Sequence, residues 1–209
     1  MLALILVACF STALAARPGF IGSGNLEWRD CANANDKWVS ISKFDISPKP
    51  IPLPGDMVVE LQSDLSHLLK DAVGMDVVIE KELLGQFTKV VCVKNVGTCH
   101  YDDPCHFLNT FKGTTGCPKQ LADNGLPCTC PFNPTQIRLP PTKFTVAAVS
   151  GAWSFLATGN YHIKISMTDI LMTMFFVYFQ GNYHIKISMT EKTSSKVRGC
   201  LETYVNIHA

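Results

Sequence analysis

The chain has 209 residues, of which 47% are hydrophobic and 17% are charged, and its 18 basic and 17 acidic side chains leave a net charge of +1. This length fits one domain or at most two small ones, and the hydrophobic fraction is large enough to fill a core. A disordered chain would carry more charge, and a nucleic-acid-binding chain would carry a basic excess. Neither class fits this composition.

The first fifteen residues have the pattern of a signal peptide. The segment from Leu2 to Phe10 is apolar, and Ala13-Leu14-Ala15 is the small-x-small pattern that precedes signal-peptidase cleavage. The apolar run has only about half of the ~20 residues that cross a bilayer. A buried N-terminal strand is the alternative. We predict cleavage after Ala15, one mature domain over residues 16–209, and entry into the secretory pathway, with secretion or sorting to lysosomes.

Eight cysteines remain after removal of Cys9 with the signal peptide: Cys31, Cys92, Cys99, Cys105, Cys117, Cys128, Cys130 and Cys200. An even number in an oxidising compartment favours four disulfides, although eight cysteines allow about 105 pairings. In an extended segment Cys128 and Cys130 point the same way, so we expect them to bond to different partners.

The positions of the cysteines along the chain favour two possible disulfides. Cys92 and Cys99 are near enough to close a short loop, and Cys31 and Cys200 would close a long one. Zinc is the alternative use of these thiols, because His100 and His106 each follow a cysteine. The spacings match no zinc-finger pattern, so we expect neither a metal nor another cofactor.

A period of two dominates the chain and predicts strands. In chain order the predicted strands cover 39–46, where the alternation slips at Phe44, then 57–62, 75–84, 87–93, 144–149, 161–168 and 200–207. Proline-rich and glycine-containing segments separate them, among them 48–55, 124–125 and Pro140-Pro141. Residues 62–72 fit one helical turn or a loop, and 92–130 fit disulfide-stapled loops. The pattern predicts an all-β sandwich or barrel.

Ten residues occur twice, because GNYHIKISMT fills both 159–168 and 181–190. The repeat is too local for a repeat architecture, and the apolar part of the segment between the copies, Ile170–Phe179, is too short for a membrane anchor. We interpret 159–180 or 169–190 as a duplicated insert that arose by a gene-model or splicing artefact or by recent duplication. Identical strands compete for one position in a sheet. We expect the second copy to win, since it runs directly into the strand that holds Cys200.

The sequence contains no familiar catalytic motif. A Gly-x-Ser-x-Gly elbow, a His-Glu-x-x-His pair and a phosphate-binding glycine loop are all absent. The adjacent Asp102 and Asp103 fit a solvated turn better than an acid/base pair. His162 and His184 fall on the polar face of predicted strands, where we expect them to be solvated. We therefore do not expect an enzyme.

A cysteine-rich motif, Leu126-Pro127-Cys128-Thr129-Cys130-Pro131-Phe132, leads to a family resemblance. Further matching segments follow the same order as in that family: Trp28-Arg29-Asp30-Cys31, Pro54-Gly55-Asp56, Val78-Ile79-Glu80-Lys81-Glu82, Cys99 to Cys105, Thr158-Gly159-Asn160-Tyr161 and Arg198-Gly199-Cys200. Over nearly all of its mature length the chain resembles the ML lipid-recognition family. Its eight cysteines separate it from the six-cysteine sterol-carrier branch.

The resemblance implies an eight-stranded β-cup, which is a two-sheet sandwich opened to hold lipid. It also implies a pairing of the cysteines: Cys31 with Cys200, Cys92 with Cys99, Cys105 with Cys130 and Cys117 with Cys128. Both implications go beyond what alternation and spacing establish.

The implied activity is lipid transfer without catalysis. A member of this kind binds a membrane surface, lifts out a glycosphingolipid such as a ganglioside, and presents its sugar to a lysosomal β-hexosaminidase. No nucleic-acid partner is expected. The alternative is an extracellular module that carries a phospholipid or sterol, or recognises lipid in immunity, without a hydrolase partner.

The resemblance also implies exposed apolar side chains at the rim of the cup. The aligned positions are Phe87, where the family carries tryptophan, and Phe155. Trp153 lies two residues before Phe155 and would share a strand face with it, and Leu156 is a further rim candidate. Ordinary core packing is the alternative for the aromatic residues. The candidates for lining the cavity, or the space between the sheets, are the strand residues Val77, Ile79, Val90, Ile163 and Ile165.

Overall fold

The fold was analysed in a computed structural model, which describes residues 17–69, 73–93, 95–105, 117–146 and 181–208. Eleven strands lie in these ranges: β1 Ile21–Ser23, β2 Leu26–Asp30, β3 Val39–Ser47, β4 Ile51–Pro52, β5 Gly55–Leu65, β6 Val73–Leu83, β7 Gln86–Lys89, β8 Cys99–Tyr101, β9 Thr135–Val146, β10 Gly181–Glu191 and β11 Val197–His208. A short helix spans Lys119–Ala122. Within the described ranges, no helix has the length and apolarity needed to cross a membrane. The predicted all-β class is confirmed.

The strands form two sheets. The larger has the order β1-β2-β11-β10-β6-β7, with β4 paired to β11 and β8 paired to β6, and the smaller has the order β3-β5-β9. Every pairing between these strands is antiparallel except that of β4 with β11. This is the two-sheet architecture that the family resemblance implied.

The two sheets pack on each other along one side. The most extensive contacts between them join β2 and β11 to β3, and β4 to β5. The buried core there is formed by Leu26, Ile51, Tyr183 and Val205, and Phe44, Ile46 and Met57 from the smaller sheet pack against it. Among the described residues, the apolar faces of the two sheets are thus held together along one side.

Two irregularities interrupt the smaller sheet. The pairing of β3 with β5 shifts register between Ile41 and Lys43, beside the slip in alternation at Phe44. Pro140 and Pro141 lie inside β9, so the prediction of a turn at this pair was wrong. Among the described strands β9 pairs only with β5, and the register of that pair shifts between Val59 and Leu61. An edge strand with a bulge tolerates the missing N–H groups of proline.

Four disulfides have the pairing that the resemblance implied. The bonds are Cys31–Cys200, Cys92–Cys99, Cys105–Cys130 and Cys117–Cys128. The first joins the end of β2 to β11, and the backbone N–H of Cys31 also donates to the carbonyl of Cys200 at 3.0 Å. Cys128 and Cys130, which are separated by one residue, bond to different partners, as their spacing indicated.

The second copy of the repeated decapeptide, 181–190, forms most of β10. This strand lies between β6 and β11, and its register runs from Tyr183 opposite Lys81 to Glu191 opposite Val73 on one side. On the other side it runs from Gly181 opposite Ile207 to Thr190 opposite Val197. The first copy, 159–168, lies outside the described residues.

Candidate functional site

The inner face of the larger sheet is a continuous apolar surface. Ile79 stands opposite Ile185, and Val77 stands opposite Ile187. Because side chains alternate along a strand, all four lie on the face that also carries the core residue Tyr183. Each of the four is only half-buried although it lies near the middle of a sheet. The smaller sheet therefore does not cover them completely.

The smaller sheet presents a second apolar face toward them. Across the strands of the smaller sheet, Phe44 of β3 lies opposite Leu61 of β5, and Leu61 lies opposite Leu139 of β9. Met57 pairs with Phe144 in the same way, and both are half-buried. Two apolar surfaces that are joined along one side and only partly covered suit an extended apolar ligand better than a small polar one.

Several polar side chains lie on these faces, among them Lys81 and Ser63. Lys81 shares the inner face of β6 with Val77 and Ile79, is only 7% exposed, and has its ammonium 5.8 Å from the centre of the Tyr183 ring. Its burial lowers the pKa of the Lys81 ammonium. On the smaller sheet Ser63 is 3% exposed, and its hydroxyl has no hydrogen-bond partner. Both groups place polar atoms within the otherwise apolar packing between the two sheets.

An apolar tip projects where β6 turns into β7. Leu84 and Gly85 make the turn, with φ of 52° and 79°, which is the left-handed backbone of a tight hairpin. The Leu84 side chain is fully exposed, and that of the neighbouring Leu83 is 43% exposed. Two adjacent leucines in water carry an energetic cost, which a contact with another apolar surface would remove.

Phe87 lies just past this tip, on the outer face of the larger sheet. It pairs with Glu82 across the hairpin, and its ring is 5.5 Å from that of Tyr204 and 6.0 Å from that of His184. The side chain is half-buried. Its ring contacts are therefore with outer-face residues, and its role at a rim stays a prediction.

A chain of charged hydrogen bonds crosses the outer face next to Phe87. His184 Nδ1 lies 2.8 Å from Glu80 Oε2, and Nε2 lies 2.9 Å from Glu202 Oε1. Arg29 Nε donates to the other oxygen of Glu202 at 2.8 Å. Burial alone would raise the pKa of Glu202, but the hydrogen bonds from Arg29 and His184 outweigh it and hold that pKa below 4.5.

The expectation that His184 is solvated was therefore wrong. Its side chain is 13% exposed, because the strands on both sides of β10 each place a glutamate against the ring. The period-two pattern identified the polar face correctly but contained no information on which strands would be neighbours. Among the described residues, no group of three potential metal ligands comes together.

Apart from Phe87, the predicted site residues fall into two groups. Val77 and Ile79 lie on the inner face, and the half-buried Val90 donates its N–H to the carbonyl of Ile79 at 2.8 Å. The others lie outside the described residues: Trp153, Phe155, Leu156, Ile163 and Ile165. The second-copy counterparts of the last two, Ile185 and Ile187, occupy the inner face.

Sequence reasoning missed Lys81 and the leucine tip. A signal for each was present. Lys81 has the same parity along its strand as Val77 and Ile79, which places it on their face. Leu83 and Leu84 directly precede a glycine between two predicted strands, which is the position of an exposed turn.

Comparisons with known proteins agree with this architecture. The family model described as ML domain matches residues 25–207. The Ganglioside GM2 activator of Mus musculus is 36% identical over 142 residues, which cover 68% of this chain and 72% of that protein. The Ganglioside GM2 activator of Macaca fascicularis is 34% identical over 147 residues, 70% of this chain and 76% of that protein. This chain belongs to the ML-domain family.

Proposed function

We propose that this protein is a non-enzymatic lipid-transfer protein that lifts a glycosphingolipid, in the first instance a ganglioside, out of a membrane and presents it to a lysosomal β-hexosaminidase. The observation that carries the proposal is the pair of facing apolar sheets, whose central side chains Ile79, Ile185 and Met57 are only partly covered. The two relatives named Ganglioside GM2 activator support the choice of lipid.

The free-energy cost of exposing lipid chains explains why such a carrier is needed. Transfer of an acyl chain into water costs about 0.8 kcal/mol for each methylene, so a sixteen-carbon chain costs about 13 kcal/mol. A soluble glycosidase does not reach a sugar that lies close to the bilayer unless the lipid is raised. The apolar inner faces of the two sheets offset most of that cost by replacing the bilayer interior.

Contact with the membrane is assigned to apolar side chains at one end of the larger sheet. The exposed Leu83 and Leu84 at the β6–β7 turn support this assignment. The residues aligned with the family's rim aromatics, Phe87 and Phe155, extend it, together with the neighbouring candidates Trp153 and Leu156. Phenylalanine lacks the ring N–H that favours tryptophan at an interface, so Phe87 contributes less to this contact than a tryptophan would.

The four disulfides support a lysosomal or extracellular location, because such bonds persist in oxidising compartments. Delivery of cargo to a hydrolase further requires that the protein act in the lysosome. An extracellular carrier of phospholipid or sterol would share the same fold and the same disulfides.

The test uses the purified mature protein and two measurements. In the first, vesicles that contain a ganglioside are mixed with the protein and then sedimented, and we expect ganglioside in the supernatant in proportion to the protein. In the second, β-hexosaminidase is added, and we expect faster release of the terminal sugar than without the protein. Extraction without faster hydrolysis would support the carrier alternative, and extraction of sterol alone would contradict the proposal.

A further inference from the structure

We propose that His184 is a positioning residue for membrane contact, and that its doubly protonated ring holds the β6–β7 hairpin with its leucine tip, Leu83 and Leu84, in place at acidic pH. This inference rests on the proposed function, because it takes the leucine tip as the part that touches the membrane during lipid extraction. It goes beyond that function by assigning an acid-dependent step to one side chain on the outer face of the larger sheet.

The first observation is that two carboxylates from neighbouring strands hold the ring of His184. Nδ1 lies 2.8 Å from Oε2 of Glu80 on β6, and Nε2 lies 2.9 Å from Oε1 of Glu202 on β11. A neutral imidazole carries one N–H, so it donates to one carboxylate and turns a lone pair toward the other. Only the doubly protonated ring donates to both. Histidine changes charge between neutral and lysosomal pH, so β6, β10 and β11 are fully connected only on the acidic side.

Burial decides which contact is lost when the ring is neutral. The Glu202 side chain is 9% exposed, and Arg29 donates to its other oxygen at 2.8 Å. Burial alone would raise the pKa of Glu202, but the hydrogen bonds from Arg29 and His184 outweigh it and hold that pKa below 4.5, so this carboxylate is still an acceptor at pH 5. The Glu80 side chain is 21% exposed and turns to water at less cost. Further titratable side chains on the same face of the packed elements are Arg17, Glu27, Glu82, Lys89, Lys186 and Tyr204.

The second observation is that the same ring contacts both strands of the hairpin that carries the leucine tip. Four registered pairs join β6 to β7, and Glu80 belongs to the pair farthest from the tip. Leu83 is three residues beyond Glu80, which corresponds to about 10 Å along a strand. On β7, the ring of Phe87 lies 6.0 Å from that of His184. Among the described strands β7 pairs with β6 alone, so contacts on the outer face decide how firmly the hairpin is held.

The consequence for lipid extraction follows from preorganisation. A hairpin that is already fixed loses less conformational entropy when Leu83 and Leu84 touch a bilayer than a hairpin that moves. Release of Glu80 from the ring weakens the hold on the hairpin and adds to that entropic cost. The protein should therefore extract lipid more effectively when His184 is doubly protonated, which matches the acidic compartment proposed for its action.

The experiment measures extraction of ganglioside from phosphatidylcholine vesicles by sedimentation at pH 5 and at pH 7.5. The proteins are wild type, His184→Gln, His184→Arg and Asn182→Ala. Arginine stays charged at both pH values and has donors for both carboxylates, whereas glutamine carries no charge. Asn182 is the matched control, because it also connects both neighbouring strands but does not titrate: it donates to Glu82 at 2.7 Å and accepts from Asn206 at 2.8 Å. Thermal unfolding at both pH values confirms that every variant is folded.

We expect wild type to exceed His184→Gln about threefold in extraction at pH 5 and to equal it at pH 7.5, as for a tip that is fixed in about a third of the molecules without the second hydrogen bond. His184→Arg should match wild type at pH 5 and exceed it at pH 7.5. Asn182→Ala should fall below wild type by the same factor at both pH values. The other histidines are unchanged in all variants, so they do not account for these differences.

Two results would overturn the inference and leave the proposed function intact. One is equal extraction by wild type and His184→Gln at pH 5, and the other is a deficit of His184→Gln that is the same at both pH values, as a purely structural role would give. Extraction of no ganglioside by wild type at either pH would overturn the proposed function itself.

Hydrogen exchange locates the effect within the protein. Amides of residues 83–89 are compared between variants at one pH at a time, so that the intrinsic pH dependence of exchange cancels. At pH 5 they should exchange faster in His184→Gln than in wild type, and at pH 7.5 the two should be alike. Amides of β3, in the smaller sheet, serve as the internal reference. An increase of equal size in 83–89 and in β3 would show that His184 acts on global stability and would overturn its role as a positioning residue.

Discussion

His184 and Glu202 face each other on neighbouring strands of the larger sheet, with 2.9 Å between Nε2 and Oε1. On its other side the same ring meets Glu80, with 2.8 Å between Nδ1 and Oε2. Ionised carboxylates only accept hydrogen bonds, so both contacts are hydrogen bonds when both ring nitrogens carry a proton. With Arg29 on the far side of Glu202, this chain of bonds ties together β6, β10, β11 and β2.

Replacement of His184 by leucine should lower the free energy of unfolding by about 1–3 kcal/mol, because it leaves the buried Glu202 with one partner fewer. The matched control is His100→Leu. His100 also contacts two carboxylates, those of Asp76 and Asp102, but its side chain is 56% exposed. An exposed ion pair contributes less than about 1 kcal/mol. Urea unfolding at pH 5 measures both variants, and equal losses would contradict the role assigned to burial.

The contribution of Glu202 should depend on pH in a defined direction. Its folded-state pKa lies below 4.5, since hydrogen bonds from Arg29 and His184 outweigh the effect of burial. A carboxyl with a lowered pKa stabilises the fold above its unfolded-state pKa, and this stabilisation disappears as the pH falls through the folded-state pKa. Wild type should therefore exceed Glu202→Gln in unfolding free energy at pH 5 to 7, with a difference that shrinks toward pH 3. A difference that grows on acidification would show the opposite shift.

Replacement of Leu84 by serine should reduce ganglioside extraction from vesicles at least about threefold while changing stability by less than about 0.5 kcal/mol. The side chain makes no buried contact in the free protein, so only the contact with a membrane is lost. Val197→Ser is the control, since Val197 is also exposed but begins β11 at the opposite end of the larger sheet. Vesicle extraction and thermal unfolding measure the two effects. Equal extraction by both variants would show that the leucine tip does not contact the membrane.

Removal of a disulfide that closes a long loop should lower the free energy of unfolding more than removal of one that closes a short loop. Cys31 and Cys200 are separated by 169 residues, and Cys92 and Cys99 by 7. In the loop-entropy model the first bond contributes about 5 kcal/mol and the second about 2–3 kcal/mol. The double variant Cys31→Ala/Cys200→Ala should thus unfold at a lower denaturant concentration than Cys92→Ala/Cys99→Ala. The reverse order would show that the short bond acts on native packing and not on the unfolded chain.

Local alternation predicted the class of fold but not every strand. It located β3, β6 and β11. The alternation found at 161–168 recurs in the identical segment 181–190, which forms β10. It missed most of β9, of which the predicted strand 144–149 covers only the end. Pro140 and Pro141 are turn residues in most contexts, and they are acceptable here because β9 pairs with one neighbour only among the described strands. The position of a strand within a sheet depends on residues far away in sequence, and a local pattern does not encode it.

The same limit applies to the candidate site. Val77 and Ile79 were identified as candidates because a β-branched run is apolar wherever it lies. The burial of His184 was not predictable, because it depends on Glu80 and Glu202 from two other strands. Lys81 was not singled out, although its parity with Ile79 placed it on the inner face. Pairing of strands, and not composition, decides the environment of both residues.

The last prediction concerns the repeated decapeptide. Because 159–168 and 181–190 are identical, deletion of 159–180 and deletion of 169–190 give the same shortened chain. That chain retains one copy, joined directly to Glu191 and the hairpin into β11. A single copy satisfies the pairing that β10 makes with β6 and β11 on its two sides. We therefore expect the deletion variant to fold.

The deletion variant is compared with the full chain by circular dichroism, thermal unfolding and ganglioside extraction. We expect the same β-sheet spectrum, a melting temperature at least as high, and undiminished extraction. The physical reason is that two identical strands compete for one position, so removal of one copy removes an alternative pairing without removing a contact of β10. The control variant carries a glycine–serine segment of equal length in place of 181–190. It therefore contains one copy of the decapeptide, but at its first position, 159–168. Failure of the deletion variant to fold would show that 159–180 is an integral part of the domain.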